Sequence, residues 1–390
     1  MRVGIVATAV LALSTAARAQ EPKPGQAHPK VDQAKVDAAI ERGAKWLMGQ
    51  GSVTLGHNFT TELSYDELVL YTLIHAGVDY NDAKFKSLLE TATTATLKRT
   101  YRTVLTAMAL ETLDRAKYQN RIADCAQYLA DNQCVNGQWF YGEETKLPER
   151  EKPKEDVATG GGSGGSSPPP KGGTKALPRI RIVQKRSGGD AGDNSNSQYA
   201  ALGIRACVNA GVEFDPKIIQ KAAEWWEKCQ QKSKDAAGWG YCHKGQYSNG
   251  NLTVQGDDPY GSMTAGGLGS LCIYRWIQRM DYKRDKSVAG ASNWMAANLK
   301  FPENPKYSDT KRWVYYWIYA IERAGMIYGT EKFGSHEWYP EGAEWLLKEQ
   351  KENGSWVGPE AGGAISDTCF AILFLRRATK PLPKVATGGK

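Results

Sequence analysis

The sequence predicts an all-α protein built from repeated helix pairs. Three observations carry this. An aromatic residue, Leu, three residues, Gln, three residues and Gly-x-Trp recur as one pattern along the chain. A second, more apolar helical stretch follows most copies. The copies are spaced at a period typical of helical-repeat arrays.

The first twenty residues stand apart from the repeats. "MRVGIVATAVLALSTAARAQ" has Arg2, an apolar run from Val3 to Leu13, then Ala17-Arg18-Ala19. A charged start, a short apolar core and an A-x-A site make a secretory leader, cleaved after Ala19. The run is too short for a membrane span, which needs ~20 residues. The mature chain is therefore expected to be exported, periplasmic or secreted, with no transmembrane segment. Residues 1–19 are expected to be the leader and 20–35 a flexible segment. The repeats should occupy 36–378, and 379–390 a flexible tail.

The first members of the pairs are led by Trp46, Leu89, Tyr128, Trp225, Trp294 and Trp345. The steps between them are 43, 39, 97, 69 and 51 residues. "YLADNQCVNGQW" (Tyr128 to Trp139) and "WLLKEQKENGSW" (Trp345 to Trp356) keep the full pattern. "WWEKCQQKSKDAAGWG" keeps Gln230 and Trp239 with a longer turn between. Trp46 with Gln50, and Trp294 with Asn298, are weaker copies, and the stretch around Leu89 lacks both signature residues. A helix end leaves carbonyls unpaired. The Gln amide is expected to donate to such groups, with the Trp covering the polar cluster and packing on the next repeat.

Six apolar stretches complete the pairs, beginning near Tyr65, Thr100, Ser195, Tyr260, Arg312 and Ser366. Each is apolar over several turns with a polar or small residue near its start. The longest step between repeats holds an insert, about 143–190, rich in Gly, Ser and Pro. That composition cannot build a core, so a disordered loop is expected. Its basic end, "RIRIVQKR" at 179–186, could add as an edge strand or meet an acidic partner.

"YLADNQCVNGQW" and "WLLKEQKENGSW" resemble the QW repeats of squalene-hopene and oxidosqualene cyclases. "SMTAGGLGSL" and "SDTCFAILFL" look like the prenyltransferase and squalene-oxidase repeat. The resemblance spans roughly 36 to 378 apart from the insert, and is to an exported bacterial subgroup of that terpenoid-cyclase superfamily. It implies an α/α toroid, an (α/α)6 barrel of six helix pairs with six inner and six outer helices.

The resemblance does not extend to the family's chemistry. Squalene-hopene cyclases protonate an alkene with a D-x-D-D-T-A motif, which needs a carboxylic acid kept neutral and polarised. The nearest stretch here, "GDDPYGSMTA", has Asp257 and Asp258 at the wrong spacing. Prenyltransferase β subunits hold zinc with Asp, Cys and His. Cys242, His243 and Asp257 supply the types without the pattern, and no four-ligand set can be assembled. No metal and no cofactor are expected. The Gly-Cys-Gly-Glu-Gln motif of thioester toroids is absent. The seven cysteines are an odd number, mostly within apolar helical patterns, and read as buried free thiols. The net charge of +8 is spread along the chain without a basic helix, which argues against nucleic acid.

Two functional classes remain. One is a binding protein whose toroid mouth holds a small hydrophobic or glycan ligand. The inner helices run parallel in such a ring, so their starts gather at one end. That end would collect Tyr101, Asn196, Gln198, Tyr199, Tyr260, Thr264, Trp313, Tyr316 and Trp317 as ligand-binding residues. The other is a diverged enzyme, cyclase-like or carbohydrate-active, using Asp66, Asp257, Asp258 or Asp367 near the inner-helix starts. These carboxylates could instead cap their own helices. Protein recovered from its native host should begin at Gln20 on N-terminal sequencing. An intact Met1 in a membrane fraction would exclude the leader.

Overall fold

The computed structural model describes residues 23–51, 54–55, 63–147, 177–232, 236–241, 247–248, 251–252, 258–359 and 363–383. Twelve α-helices lie among the described residues. They alternate in consecutive pairs. These are α1 Gln33–Gly49 with α2 Asp66–Ala76, α3 Ala83–Thr94 with α4 Thr100–Asp114, and α5 Gln119–Asp131 with α6 Asn194–Asn209. Then follow α7 Pro216–Lys228 with α8 Gly261–Ile277, α9 Lys286–Asn298 with α10 Val314–Tyr328, and α11 Trp338–Glu349 with α12 Gly363–Arg376.

The two members of a pair differ in pattern. In α7, Ile218, Ile219, Ala222, Ala223 and Trp226 are buried, while Lys217, Gln220 and Lys221 are exposed. Such a one-sided helix belongs on the outside. In α8 every residue from Gly261 to Arg275 is buried. A helix buried all round must be internal. The even-numbered helices pack in sequence from α2 to α12, and α12 packs on α2. Their starts meet: Tyr101 of α4 bonds Ser195 of α6, which bonds Tyr316 of α10. Their ends also meet, where Arg115 donates to Asn209 O and Arg376 to Ala76 O. The inner helices therefore run parallel. The outer α1, α3, α7 and α9 start on the side-chain caps Asp32, Asp82, Asp215 and Asp285.

The Gln–Trp pattern holds neighbouring repeats together. Gln133 Nε2 donates to Ile218 O of α7 at 2.8 Å, and Gln230 Nε2 to Ser287 O of α9 at 2.8 Å. Gln350 Nε2 donates to Ala39 O of α1, also at 2.8 Å, joining the last repeat to the first. The expected target was the helix's own end. The amide instead reaches the first two turns of the next outer helix. Each Trp anchors twice. Its indole N–H donates at 2.8 Å to a carbonyl of the preceding outer helix: Trp139 to Leu129, Trp239 to Trp226, Trp356 to Leu346. Its backbone N–H donates to a hydroxyl on the following inner helix: Ser197, Thr264 and Thr368 respectively. The weaker copies bond back on themselves. Gln50 Nε2 donates to Trp46 O and Asn298 Nδ2 to Trp294 O, each four residues earlier. The turn glycines Gly137 and Gly354 have φ of 97° and 92°, and a Cβ on either would strike the backbone of the next outer helix.

Several boundaries are tighter than the sequence suggested. The repeats begin before residue 36. Gly25 N donates to Arg376 O at 3.0 Å and His28 lies against Tyr339, so 23–35 touches the frame at these points while most of its residues stay exposed. The tail beyond 378 starts buried, with Thr379 and Leu382 in the interior. The insert is ordered over 177–190. Ile180–Ile182 pairs in parallel with Val212–Phe214, Lys185 N donates to Asp131 Oδ1 at 2.7 Å, and Gly188 N to Gln133 O at 2.8 Å. Burial of Ile182 and Val212 with paired backbone offsets the ordering entropy that composition alone left unopposed. The basic stretch 179–186 thus lies on the protein's own frame, with Arg179 on Glu213 and Arg186 on Glu143. Residues 148–176 and the leader lie outside the described residues. Cys125, Cys134, Cys207, Cys229, Cys272 and Cys369 are free and buried, and Cys242 lies outside the described residues. Among the described residues no helix is long and apolar enough to cross a membrane.

Removing the stitches should be costly. Trp356 is fully buried, so Trp356→Ala should destabilise by ~3–5 kcal/mol. Gln350→Ala should cost less, ~1–3 kcal/mol, by orphaning Ala39 O and Gly354 O. Chemical denaturation measures both. Changes within ~0.5 kcal/mol of wild type would mark them as ordinary surface positions.

Candidate functional site at the inner-helix starts

The inner helices meet at a chain of hydroxyls and an amide. Tyr101 OH lies 2.6 Å from Ser195 Oγ, which lies 2.9 Å from Tyr316 OH. Gln198 Nε2 donates to Tyr316 OH at 2.8 Å, and Arg323 Nη2 donates to Gln198 Oε1 at 3.1 Å. Helix geometry brings these residues together. Ser195 and Gln198 are one turn apart on α6, Tyr316 and Arg323 two turns apart on α10, so each pair shares a face. Aromatic rings back the chain. Tyr101 and Tyr199 have centroids 4.6 Å apart, Tyr199 and Tyr316 stack at 6.2 Å, and Tyr316 meets Phe370 of α12 edge-on at 5.8 Å. Tyr101, Ser195, Tyr316 and Phe370 are half-buried, so this surface, the floor of the inner-helix starts, keeps contact with solvent and is not sealed core. Burial pushes the Tyr101 and Tyr316 hydroxyls well above their ordinary range, so both stay neutral donors and acceptors.

Trp313 stands at the same end, in the N-cap position of α10. Its backbone is left-handed, φ 58°, and the residue is 38% exposed. A bulky residue held in that conformation is strained by of order 1–3 kcal/mol, and such strain concentrates at functional positions.

The nine residues expected to line a ligand site divide. Tyr101, Gln198, Tyr199 and Tyr316 converge on the floor, and Trp313 sits at its end of the ring. The others are in the frame. Thr264 receives the Trp239 N–H, and Asn196 donates twice to Asp193. Trp317 is fully buried, its indole donating to Lys300 O at 3.2 Å, and Tyr260 is buried against Tyr307. Trp317 follows Tyr316 by one residue, a rotation of about 100° around the helix, which takes it off the floor.

The carboxylates do not act as the expected caps. Asp66 follows the N-cap position, taken by Tyr65, and lies in the first turn of α2. Asp258 is exposed ahead of α8. Asp367 lies inside α12, where Oδ2 accepts from Gly358 N at 2.8 Å. Asp257 lies outside the described residues. The capping carboxylate is Asp193, which accepts from Asn196 N at 2.7 Å and from Asn196 Nδ2 at 2.8 Å. Burial raises its pKa to about 6. Sequence reading passed over Asp193, Ser195, Phe370 and Arg323. The Glu322-Arg323 pair, inside an otherwise apolar inner helix, was the available signal. Among the described residues no group of three His, Cys, Asp or Glu side chains could hold a metal. Cys242 and His243 lie outside them.

The opposite end of the ring is closed by the chain's own tail. Thr379 donates to Glu322 through N at 2.8 Å and Oγ1 at 2.7 Å. Arg205 donates to Lys380 O. What remains there is a cavity of about 30 Å³ lined by Tyr71, Glu111, Arg205, Asn209 and Thr379 among others. That is room for about one water.

No family model matches the chain. No curated protein matches its sequence. Among solved structures it is similar to the crystal structure of a possible member of the GH105 family from Salmonella enterica subsp. enterica serovar Paratyphi A str. ATCC 9150. The TM-score is 0.55 at 9% identity, over 90% of this chain and 96% of that one. A structure of a protein from Actinoplanes aligns over 88% and 98% at 10% identity, with a TM-score of 0.33. The first likeness shows the fold alone, a mostly helical, toroid-type architecture.

Glu322 makes the fold pH-dependent in a defined direction. Burial raises its pKa from 4.5 to about 7, outweighing the Thr379 hydrogen bonds and the nearby arginines. Between those values the folded chain holds a proton that the unfolded chain has lost. Its contribution is fully present below pH 4.5 and is lost as pH rises through about 7. Glu322→Gln should therefore gain on wild type by roughly 1–3 kcal/mol between pH 5 and pH 8. Denaturation midpoints across that range test it, and parallel profiles would contradict it.

Proposed function

We propose that this chain is a glycan-binding (α/α)6 toroid of six helix pairs, holding its ligand on the Tyr101–Ser195–Tyr316–Gln198 floor. One observation carries the reading: half-buried hydroxyls and an amide lie in one chain against stacked tyrosine rings. A sugar ring presents hydroxyls that donate and accept, and C–H faces that pack on aromatic rings. The Tyr101 and Tyr316 hydroxyls are bonded within the floor, and each oxygen keeps capacity for a further hydrogen bond that a sugar hydroxyl can use and a purely apolar ligand cannot. The GH105-like fold is consistent with a carbohydrate-related role. The three cross-repeat Gln–Trp stitches support the kinship with squalene-cyclase repeats, and the packing of α12 on α2 supports the six-pair ring. Export by residues 1–19 would place the site outside the cytoplasm. Binding is favoured over catalysis because, of the candidate carboxylates, Asp367 accepts a backbone amide of its own frame and Asp258 is exposed ahead of α8.

Oligosaccharide screening of the mature protein by calorimetry tests this. Tyr316→Ala should weaken a bound glycan at least about tenfold, the worth of a lost hydrogen bond with ring contact. Trp313→Gly relieves the left-handed strain and should leave the melting temperature within a few degrees of wild type while weakening binding. Unchanged affinity in both folded variants would overturn the placement.

A further inference from the structure

Arg323 is 3% exposed, and among the described residues no carboxylate lies within ion-pair distance of it. Its sequence neighbour Glu322 already accepts two hydrogen bonds from Thr379. Three tyrosine rings surround the guanidinium instead, with centroids at 4.4 Å (Tyr319), 5.1 Å (Tyr199) and 5.8 Å (Tyr316). Nη2 is used by Gln198, while Nη1 is buried without a hydrogen-bond partner. Helix side chains slant toward the N-terminus, so Arg323 reaches from deep in α10 up toward the floor. Its contacts with Gln198 and the Tyr316 ring place it directly beneath.

A buried cation normally has a counter-ion, because desolvating a charge is expensive unless it is paired. Cation–π contacts offset only part of that cost. An open donor on a buried guanidinium, below a polar and half-exposed floor, is the feature a ligand's anionic group would complete. The low polarity of the surroundings strengthens the attraction.

We propose that Arg323 receives an anionic substituent, a carboxylate or a sulfate, carried by the ligand at this mouth. The inference rests on the glycan reading and narrows it to acidic sugars. The anion approaches past the Tyr316 ring and takes Nη1, while Gln198 keeps Nη2.

The test compares three probes on the mature protein by calorimetry: an oligogalacturonate, its fully methyl-esterified form, and a sulfated galactose oligosaccharide. An acidic probe should bind at least about tenfold more tightly than the ester, as for a charge-assisted hydrogen bond. The uronate and sulfate arms show which anion is taken. Arg323→Gln should abolish the preference, and Arg323→Lys should keep part of it. Should Arg323→Gln fail to fold, Arg323→Lys and the wild-type ratio decide the question. Equal affinity for acidic and neutral probes, or a preference surviving in folded Arg323→Gln, overturns the inference and leaves the glycan reading standing. Binding of none of the three overturns both.

Discussion

The fold depends on one hydrogen bond used three times: a glutamine amide reaching from the end of one outer helix to the start of the next. Each such bond fixes the spacing of two outer helices through a buried or half-buried contact, where an unmade partner is costly. The tryptophan in the same turn adds a second constraint. It ties the outer helix behind it to the inner helix ahead of it. The Gln350 bond to Ala39 matters most for the ring, because it spans the two ends of the repeat array. An array of helix pairs otherwise grows as an open solenoid with two unsatisfied ends.

Closure has a chemical consequence. Parallel inner helices bring side chains distant in sequence to one floor: Tyr101, Ser195, Gln198, Tyr316 and Phe370 come from four helices. At the other end Thr379 and Lys380 close the interior over Glu322 and Arg205. The two ends therefore differ. One is a half-exposed surface of hydroxyls and rings, and the other is a plug with room for about one water. Glu322 and Arg323, adjacent on α10, face these different environments. Glu322 is satisfied by the tail, while Arg323 keeps a buried donor without a hydrogen-bond partner beside Gln198 and the tyrosine rings.

The repeats were legible because their device is local. Leu, Gln, Gly and Trp act within about a dozen residues, so spacing alone exposes them, and the turn glycines need a backbone that other residues resist. Outer helices were legible for a similar reason, since one face is wet and the other dry. The flanking segments were less legible. Their composition suggested looseness, but residues 23–35 touch distant helices through Gly25 and His28, and Thr379 and Leu382 are buried. The strand Ile180–Ile182 likewise becomes stable only through its pairing with Val212–Phe214.

The sequence by itself determined the helix pairs, the stitching residues and the end of the ring at which aromatic residues gather. Only the tertiary structure decided which of those aromatics face the interior. An inner helix is buried on every side, so hydrophobic periodicity loses the contrast that marks a lining face. Tyr316 and Trp317 show the limit. They are adjacent and equally plausible as sequence, yet one lies on the floor and the other donates to Lys300 O in the frame. The rotation of α10 about its axis separates them, and that rotation is set by packing against α8 and α12, which no local pattern encodes.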